Sequence, residues 1–165
     1  MVSRGRIVIA AAFVALGLGF LAYYYYANLD IPELEKVELE LVAVKVLEVN
    51  SIDNRANLEI TFLATNLGKK TVTISNINYE LFANDKDIGN GEYSTVDIAL
   101  PGRALIYPSQ SSSLTSTFNF VYTDRVADEY LSITKGEQAS YMASGTFTVE
   151  SAWTTVDKKF ESSFG

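Results

Sequence analysis

A run of twenty residues without a charge, from Ile7 to Tyr26, constrains this chain more than any other stretch of its sequence. The run reads IVIAAAFVALGLGFLAYYYY. At a helical rise of about 1.5 Å per residue, it is as long as the roughly 30 Å hydrocarbon core of a bilayer is thick. We therefore predict a single N-terminal transmembrane helix over residues 7–26, with the lipid bilayer as its partner.

The charges on either side of this run predict its orientation. Arg4 and Arg6 precede it in the short segment 1–6, whereas acidic residues follow it. Positively charged flanks stay on the cytoplasmic side. We expect a single-pass protein of the cytoplasmic membrane, with residues 1–6 in the cytoplasm and the C-terminal domain outside. The four tyrosines Tyr23–Tyr26 face all sides of a helix and suit the aromatic belt at the outer interface.

Two other interpretations of the N-terminus stay open. A cleaved signal peptide requires small residues at its cleavage site, and the nearest candidate, at Ala27, is spoiled by the bulky Tyr24 and Tyr26. A pilin-type leader would be cut at a basic-Gly site, which Arg4-Gly5 resembles superficially. Retention of the helix is the favoured interpretation.

Small residues recur every four positions within the predicted span, at Ala11, Ala15 and Gly19. Such a stripe allows a second membrane helix to approach closely. It predicts a possible membrane-protein partner, although Ala and Gly are common in spans without one.

Composition excludes several kinds of chemistry. The chain has no Cys and no His, which removes thiolate nucleophiles, imidazole bases and the usual zinc, copper and haem ligands. We expect no catalytic residues, no cofactor, no metal site and no enzymatic activity. The net charge is −7, to which residues 1–26 contribute +2, so the remainder carries −9. That remainder repels nucleic-acid phosphates, and no nucleic-acid partner is expected.

Period-two alternation of apolar and polar residues dominates residues 37–165, after a predicted extended linker over 27–36 that contains Pro32. About seven strands are predicted from this alternation. Their apolar residues are Val37, Leu39 and Leu41; Leu58, Ile60, Phe62 and Ala64; Val72, Ile74, Ile77, Tyr79 and Leu81; Ile88, in a strand that continues to about Val96; Leu114, Phe118, Phe120 and Tyr122; Tyr141, Ala143, Phe147 and Val149; and Trp153, Val156 and Phe160.

Departures from the alternation predict local features. The phase blurs within residues 42–49, as at a β-bulge or in a strand covered on both faces, and it shifts at Ser75-Asn76, which indicates a bulge or a bend. Asn84-Asp85 predicts a hairpin turn. One short helix is predicted from the spacing of Val126, Tyr130 and Ile133, with Thr123 or Asp124 as its cap and Gly136 after its end. The fold class is mainly β, an immunoglobulin-like antiparallel sandwich of about seven strands with one short helix.

The order of these elements resembles the group-2 late embryogenesis abundant family, also called the WHy (water stress and hypersensitive response) domain, over about Val37 to Phe160. The matching positions are Leu58, Ile60, Phe62, Thr65, Asn66, Val72, Ile74, Ile77, Tyr79, Leu81, Asn84, Ile88, and Gly89 or Gly91. The segment YMASGTFTVESAWTTVDKKFESS resembles the closing strand pair of the family. Where the family commonly has Asn-Pro-Asn, this chain has Asn66-Leu67-Gly68, so its turn depends on Asn and Gly.

The resemblance implies a non-enzymatic domain with a role in stress protection or binding, anchored here to the membrane. The alternative is a single-span accessory or structural subunit of a larger membrane or cell-surface assembly, with Ala11, Ala15 and Gly19 as its docking face.

Four further groups of residues are candidates for a site. Asp85, Asp87 and Glu92 are potential calcium ligands, but the segment fails the EF-hand pattern at its fifth, sixth and twelfth positions, so a plain hairpin is expected. The serines of 109–113 lack the partners of a hydrolase nucleophile and indicate a solvated edge or loop. Tyr141 and Trp153 are expected in the core rather than in a ligand pocket. Asn66 is expected to bond turn backbone.

Overall fold

A computed structural model describes residues 4–95 and 103–165 of the chain. A long helix, α1 (Arg4–Leu34), precedes seven strands and a short helix. The strands are β1 (Val37–Asn50), β2 (Arg55–Asn66), β3 (Thr73–Ala83), β4 (Lys86–Ser94), β5 (Ser111–Val121), β6 (Tyr141–Glu150) and β7 (Thr155–Phe164), with α2 (Ala127–Thr134) between β5 and β6. They form two antiparallel sheets, ordered β1-β2-β5 and β4-β3-β6-β7. The mainly β fold with one short helix and an N-terminal apolar helix is confirmed.

The predicted apolar rows face each other between the two sheets. On β2, Leu58, Ile60 and Phe62 are fully buried, and Phe118 and Phe120 on β5 are equally buried beside them. Large aromatic side chains fill the space between the sheets, because each buries more apolar area than any aliphatic residue. The rings of Phe62 and Tyr79 meet edge to face, with centroids 5.0 Å apart.

The predicted irregularities lie where the sequence pattern shifts. The β1–β2 register slips between Leu41 and Ala43 and again between Val46 and Glu48. The β3–β6 register slips between Ile74 and Asn76. Asn84 and Asp85 both have positive φ, the conformation of the tight hairpin turn that was predicted there. Strand β4 ends at Ser94, and its predicted end at Val96 lies outside the described residues.

The start of the short helix differs from the prediction. A 3₁₀ turn over Asp124–Val126 leads into α2, and the Thr123 side chain makes no capping hydrogen bond. The backbone N–H of Val126 instead donates to the Thr123 carbonyl at 3.0 Å, so a backbone bond satisfies this turn. Gly136 follows the helix with φ +77°, as the sequence predicts.

The predicted extended linker over residues 27–36 is wrong for most of its length. Helix α1 continues to Leu34 with Pro32 inside it. Proline costs one backbone hydrogen bond in a helix, but Asp30 and Leu34 are buried against the sandwich. We attribute the helical conformation of this segment to those tertiary contacts, which outweigh its local preference.

The sequence predicts that Trp153 lies in the last strand and in the core, and both predictions are wrong. Strand β7 begins at Thr155, and Trp153 lies in the β6–β7 turn with 53% of its surface exposed. The backbone N–H groups of Trp153 and Thr154 approach the Ser151 hydroxyl at 3.2 and 3.3 Å. This local Ser-centred turn competes with strand continuation.

A buried polar contact joins the two sheets at the centre of the core. The Tyr79 hydroxyl on β3 lies 2.7 Å from the Ser116 hydroxyl on β5. Burial raises the pKa of Tyr79, and the hydrogen bond to Ser116 opposes this in part. The neutral phenol is therefore the form that the folded core accepts.

This contact predicts a loss of stability in alkali. A phenol ionises at about pH 10 in the unfolded chain but resists ionisation in the folded core, so its contribution is complete below pH 10 and declines above it. Tyr79→Phe should cost about 1–2 kcal/mol at pH 8, because Ser116 loses its partner. Between pH 8 and pH 10.5, the free energy of unfolding of Tyr79→Phe should then fall by less than that of the wild type. Urea unfolding at both pH values tests this, and equal losses would contradict it.

Candidate functional site

Polar contacts concentrate where the end of α1 meets one end of the sandwich. Two connections reach this place, the β2–β3 loop (67–72) and the β6–β7 turn (151–154), and both contact α1. We call residues 30–37, 67–72 and 151–154 together the junction.

A buried carboxylate holds the two connections to the helix. Asp30 is 3% exposed. One of its oxygens accepts a hydrogen bond from the Ser151 hydroxyl at 2.9 Å, and the other lies 3.2 Å from the Lys70 ammonium. A buried carboxylate is stable when it is paired and hydrogen-bonded. Asp30 thus links α1 to the β2–β3 loop and to the β6–β7 turn at once.

The last turn of α1 lies against the backbone of the β2–β3 loop. The Lys69 N–H donates to Glu33 Oε2 at 2.6 Å, and the other Glu33 oxygen accepts from Lys36 at 2.6 Å. A side chain on Gly68 would place its Cβ 2.5 Å from the Glu33 carbonyl oxygen. Gly68 therefore matters here because it leaves room for the helix.

Lys158 on β7 binds the backbone of the segment that connects α1 to β1. Its ammonium donates to the carbonyls of Glu35, at 2.6 Å, and of Val37. It also lies 5.6 Å from the centroid of the Phe147 ring. Burial lowers the pKa of Lys158, against the opposing charges of Glu38 and Glu35. The helix and the first strand are thus joined without a free hinge.

Loss of the Asp30 carboxylate should loosen this junction. Asp30→Ala removes the contacts to Ser151 and Lys70, while the half-exposed Lys70 side chain remains able to reach water. We expect trypsin to cleave after Lys36 roughly tenfold faster, since about 1.4 kcal/mol of lost coupling is a factor of ten in a local opening equilibrium. Glu48→Ala, at an exposed position of β1 outside the junction, is the matched control. Equal cleavage rates in wild type and Asp30→Ala would contradict the coupling.

A second contact lies further down α1. The Tyr23 hydroxyl donates to the Trp153 carbonyl at 3.2 Å, and the two rings meet edge to face with centroids 6.4 Å apart. Tyr23 and Asp30 are seven residues apart, and therefore on one face of the helix. The β6–β7 turn follows that face from Asp30 down to Tyr23.

Asn66 organises the β2–β3 loop, as predicted. It is fully buried. Its side-chain nitrogen donates to the carbonyls of Lys70 at 2.7 Å and Ile106 at 3.0 Å, and its oxygen accepts from the Gly68 N–H at 2.9 Å. The asparagine at the start of the family-like turn therefore has a structural role.

The other predicted residues are not brought together into one site. Asp87 accepts from the Gly89 N–H and pairs with Arg125, within the expected hairpin. Ser111 begins the edge strand β5, and the serines of 109–113 are solvated or half-buried. Tyr141 packs against the core from β6. Ala11, Ala15 and Gly19 are exposed along α1. The sequence does not predict a role for Asp30, Ser151 or Lys158, because their contacts are with residues far away along the chain.

An open groove of about 1010 Å³ crosses the outer face of the four-stranded sheet. Gly91 and Gly145, which have no side chains, form part of the floor of this groove. The polar side chains at the neighbouring strand positions line its sides. Its charged lining residues are Glu80, Glu92, Glu161 and Lys159. Within residues 4–95 and 103–165, no three Asp or Glu side chains are grouped closely enough to hold a metal ion. The groove offers a polar, mildly acidic surface without convergent catalytic groups among the described residues.

Comparison with solved structures shows a likeness of fold. No protein-family model matches the chain, and no curated protein matches it. A protein from Arabidopsis thaliana, solved in solution, aligns over 77% of this chain and 80% of its own at 12% identity, with a TM-score of 0.52. A protein assigned provisionally to the late embryogenesis abundant group aligns over 96% and 88% at 15% identity, with a TM-score of 0.45. A protein from Archaeoglobus fulgidus aligns over 76% and 96% at 16% identity, with a TM-score of 0.42. At 12% identity, the likeness to the Arabidopsis thaliana protein is one of fold alone.

Proposed function

We propose that this chain is a single-span membrane protein that holds a non-enzymatic β-sandwich at the outer surface of the cytoplasmic membrane, as a binding or protective module. The observation that carries the proposal is the division of α1 into two parts. Its apolar part from Ile7 onward is long enough to cross a bilayer and contacts little of the sandwich, whereas Asp30 and Leu34 near its end are buried in the junction.

The junction fixes the position of the sandwich relative to the apolar part of α1. Exposed apolar side chains such as Phe13, at 71%, and Phe20, at 67%, are costly in water and favourable in lipid. Asp30, Glu33 and Lys158 then fix the sandwich to the end of the same helix. A domain joined in this way stands at a set height and angle instead of moving on a tether.

We propose that the protein has no enzymatic activity, because the buried reactive side chains of Asp30 and Tyr79 are paired with structural partners. The chain has no Cys or His. The buried carboxylate at the junction is paired with Lys70 and Ser151, and the buried Tyr79 hydroxyl with Ser116. These partners serve stability, and the arrangement suits a scaffold better than acid–base chemistry.

Orientation is tested by labelling single cysteines in a chain that has none of its own. Ser51→Cys lies in the exposed β1–β2 turn, and Ser3→Cys lies before the apolar run. A maleimide that cannot cross membranes should label Ser51→Cys in intact cells and Ser3→Cys only after lysis. Labelling in the reverse pattern would overturn the orientation, and release of the protein by alkaline carbonate would overturn the membrane anchor.

A protective role follows the sequence resemblance to the late embryogenesis abundant group. We propose that the sandwich shields the membrane surface during water loss. Vesicles that contain the full-length protein should retain an enclosed dye through drying and rehydration better than protein-free vesicles. Vesicles with Asp30→Ala, in which the junction is loosened, should protect less. Equal leakage from vesicles with and without the wild type would count against protection.

A subunit role is the second candidate, favoured by two exposed surfaces. The small-residue stripe of α1 has open space at Gly19. On the edge strand β1, Val46, Leu47 and Val49 are 39–55% exposed, and unpaired edges of this kind accept a further strand. Extraction in a mild detergent should then yield a stoichiometric partner. Recovery of the protein as a monomer would favour the first candidate.

A further inference from the structure

The β6–β7 turn carries an exposed aromatic residue at an unusual place. Trp153 is 53% exposed although it is the one tryptophan of the chain. The residues around it, from Ser151 to Val156, carry no charge. A half-exposed tryptophan in an uncharged turn presents apolar surface that water does not favour.

The position of this turn along α1 indicates what covers it. Trp153 contacts Tyr23 through a hydrogen bond to its carbonyl and through an edge-to-face ring contact. Tyr23 is the first of the four tyrosines in the last turn of the apolar run. If that run fills the hydrocarbon core, Tyr23 and therefore Trp153 lie at the depth of the lipid headgroup interface. Tryptophan and tyrosine are enriched at that depth because their rings are apolar and their N–H or O–H groups find polar partners.

Other exposed apolar residues lie at the same end of the sandwich. Leu67 is in the β2–β3 loop, 54% exposed, and Tyr107 precedes β5, 51% exposed. The Ile106 backbone pairs with Val72 at the start of β3, so both connections belong to the end that receives α1. Their presence extends the apolar character of this end beyond the turn itself.

We propose that the β6–β7 turn inserts Trp153 into the interface of the bilayer that α1 crosses, as a second membrane contact that fixes the tilt of the sandwich. The inference rests on the proposed transmembrane role of α1. The contact is with the lipid itself, and it is distinct from the anchor because it comes from the sandwich. The contact between Asp30 and Ser151 holds one part of the turn against the C-terminal end of α1. Trp153 lies in the part of the turn that is closer to the apolar run, beside Tyr23.

The single tryptophan makes the test direct. The full-length protein is reconstituted in phosphatidylcholine vesicles, with and without bromine atoms near the headgroup end of the acyl chains. We expect the brominated lipid to quench most of the Trp153 emission, and iodide in the outer solution to quench little of it. Emission that is unchanged by brominated lipid and strongly quenched by iodide would overturn the proposal.

A relocated tryptophan supplies the control. The double variant Trp153→Phe, Ile52→Trp places the fluorophore in the β1–β2 turn at the opposite end, where Ile52 is 91% exposed. Its emission should respond to iodide and not to brominated lipid. Alkaline carbonate extraction of the same vesicles separates the two proposals. Release of the protein would overturn both the anchor and this inference, whereas retention with an unquenched Trp153 would overturn only the inference.

Discussion

Replacing Gly145 with alanine is expected to lower the free energy of unfolding by about 3 kcal/mol, the upper part of the range for overpacking a close-packed interior. Gly145 lies in β6, opposite Tyr79 on β3 and Phe160 on β7. A Cβ at this position would lie 2.0 Å from the Asn78 carbonyl oxygen and 2.9 Å from the Tyr79 Cα. Both atoms belong to the backbone of β3, so relief requires the two strands to separate.

The matched control for this change is Ser144→Ala, one position away on the same strand and on the opposite face. It should change the free energy of unfolding by less than about 0.5 kcal/mol, as expected of a surface substitution. Urea unfolding of both variants, followed by circular dichroism, gives the comparison. Similar midpoints for Gly145→Ala and Ser144→Ala would show that β6 and β3 are not packed as closely as described.

Much of the sandwich follows from local pattern. The alternation of Leu58, Ile60 and Phe62 predicts a strand with one buried face, and the structure has that strand with all three buried. A one-residue change of phase, as at Ser75-Asn76, indicates a bulge or a bend, because a strand with a core face must keep that face buried. The bulge between Ile74 and Asn76 is therefore predictable without any knowledge of the partner strand.

The junction was not predictable in the same way, because its residues are separated along the chain. Asp30 and Ser151 are 121 positions apart, and nothing in either local sequence indicates the other. The chain from Asn28 to Lys36 contains a proline and several acids, which alone favour an extended linker. The conformation of this segment depends on contacts that appear only after the sheets have formed. The prediction for Trp153 fails for a related reason. A large aromatic residue is usually buried, but the turn around the Ser151 hydroxyl sets the position of Trp153 here.

The turn Asn66-Leu67-Gly68 keeps the first asparagine of the Asn-Pro-Asn turn that it resembles, but it lacks the proline. A proline at the position of Leu67 would fix the turn covalently, but here Asn66 fixes it by hydrogen bonds to both sides of the loop. The absence of a side chain at Gly68 then leaves room for the Glu33 carbonyl. The loop that contacts α1 is thus the one whose sequence differs from the Asn-Pro-Asn of the family that the chain resembles.

Truncation of Asn66 to alanine is expected to cost about 3 kcal/mol of stability, because buried polar groups are then left without partners at about 1–3 kcal/mol each. The Gly68 N–H loses its acceptor, and the Lys70 carbonyl loses its donor. Asn119→Ala, on the exposed face of β5, removes the same amide without these contacts and should be nearly neutral. Because the loop also receives the end of α1, tryptic cleavage after Lys36 should accelerate in Asn66→Ala under conditions in which the sandwich remains folded. A variant as stable and as resistant to trypsin as Asn119→Ala would contradict the role assigned to Asn66.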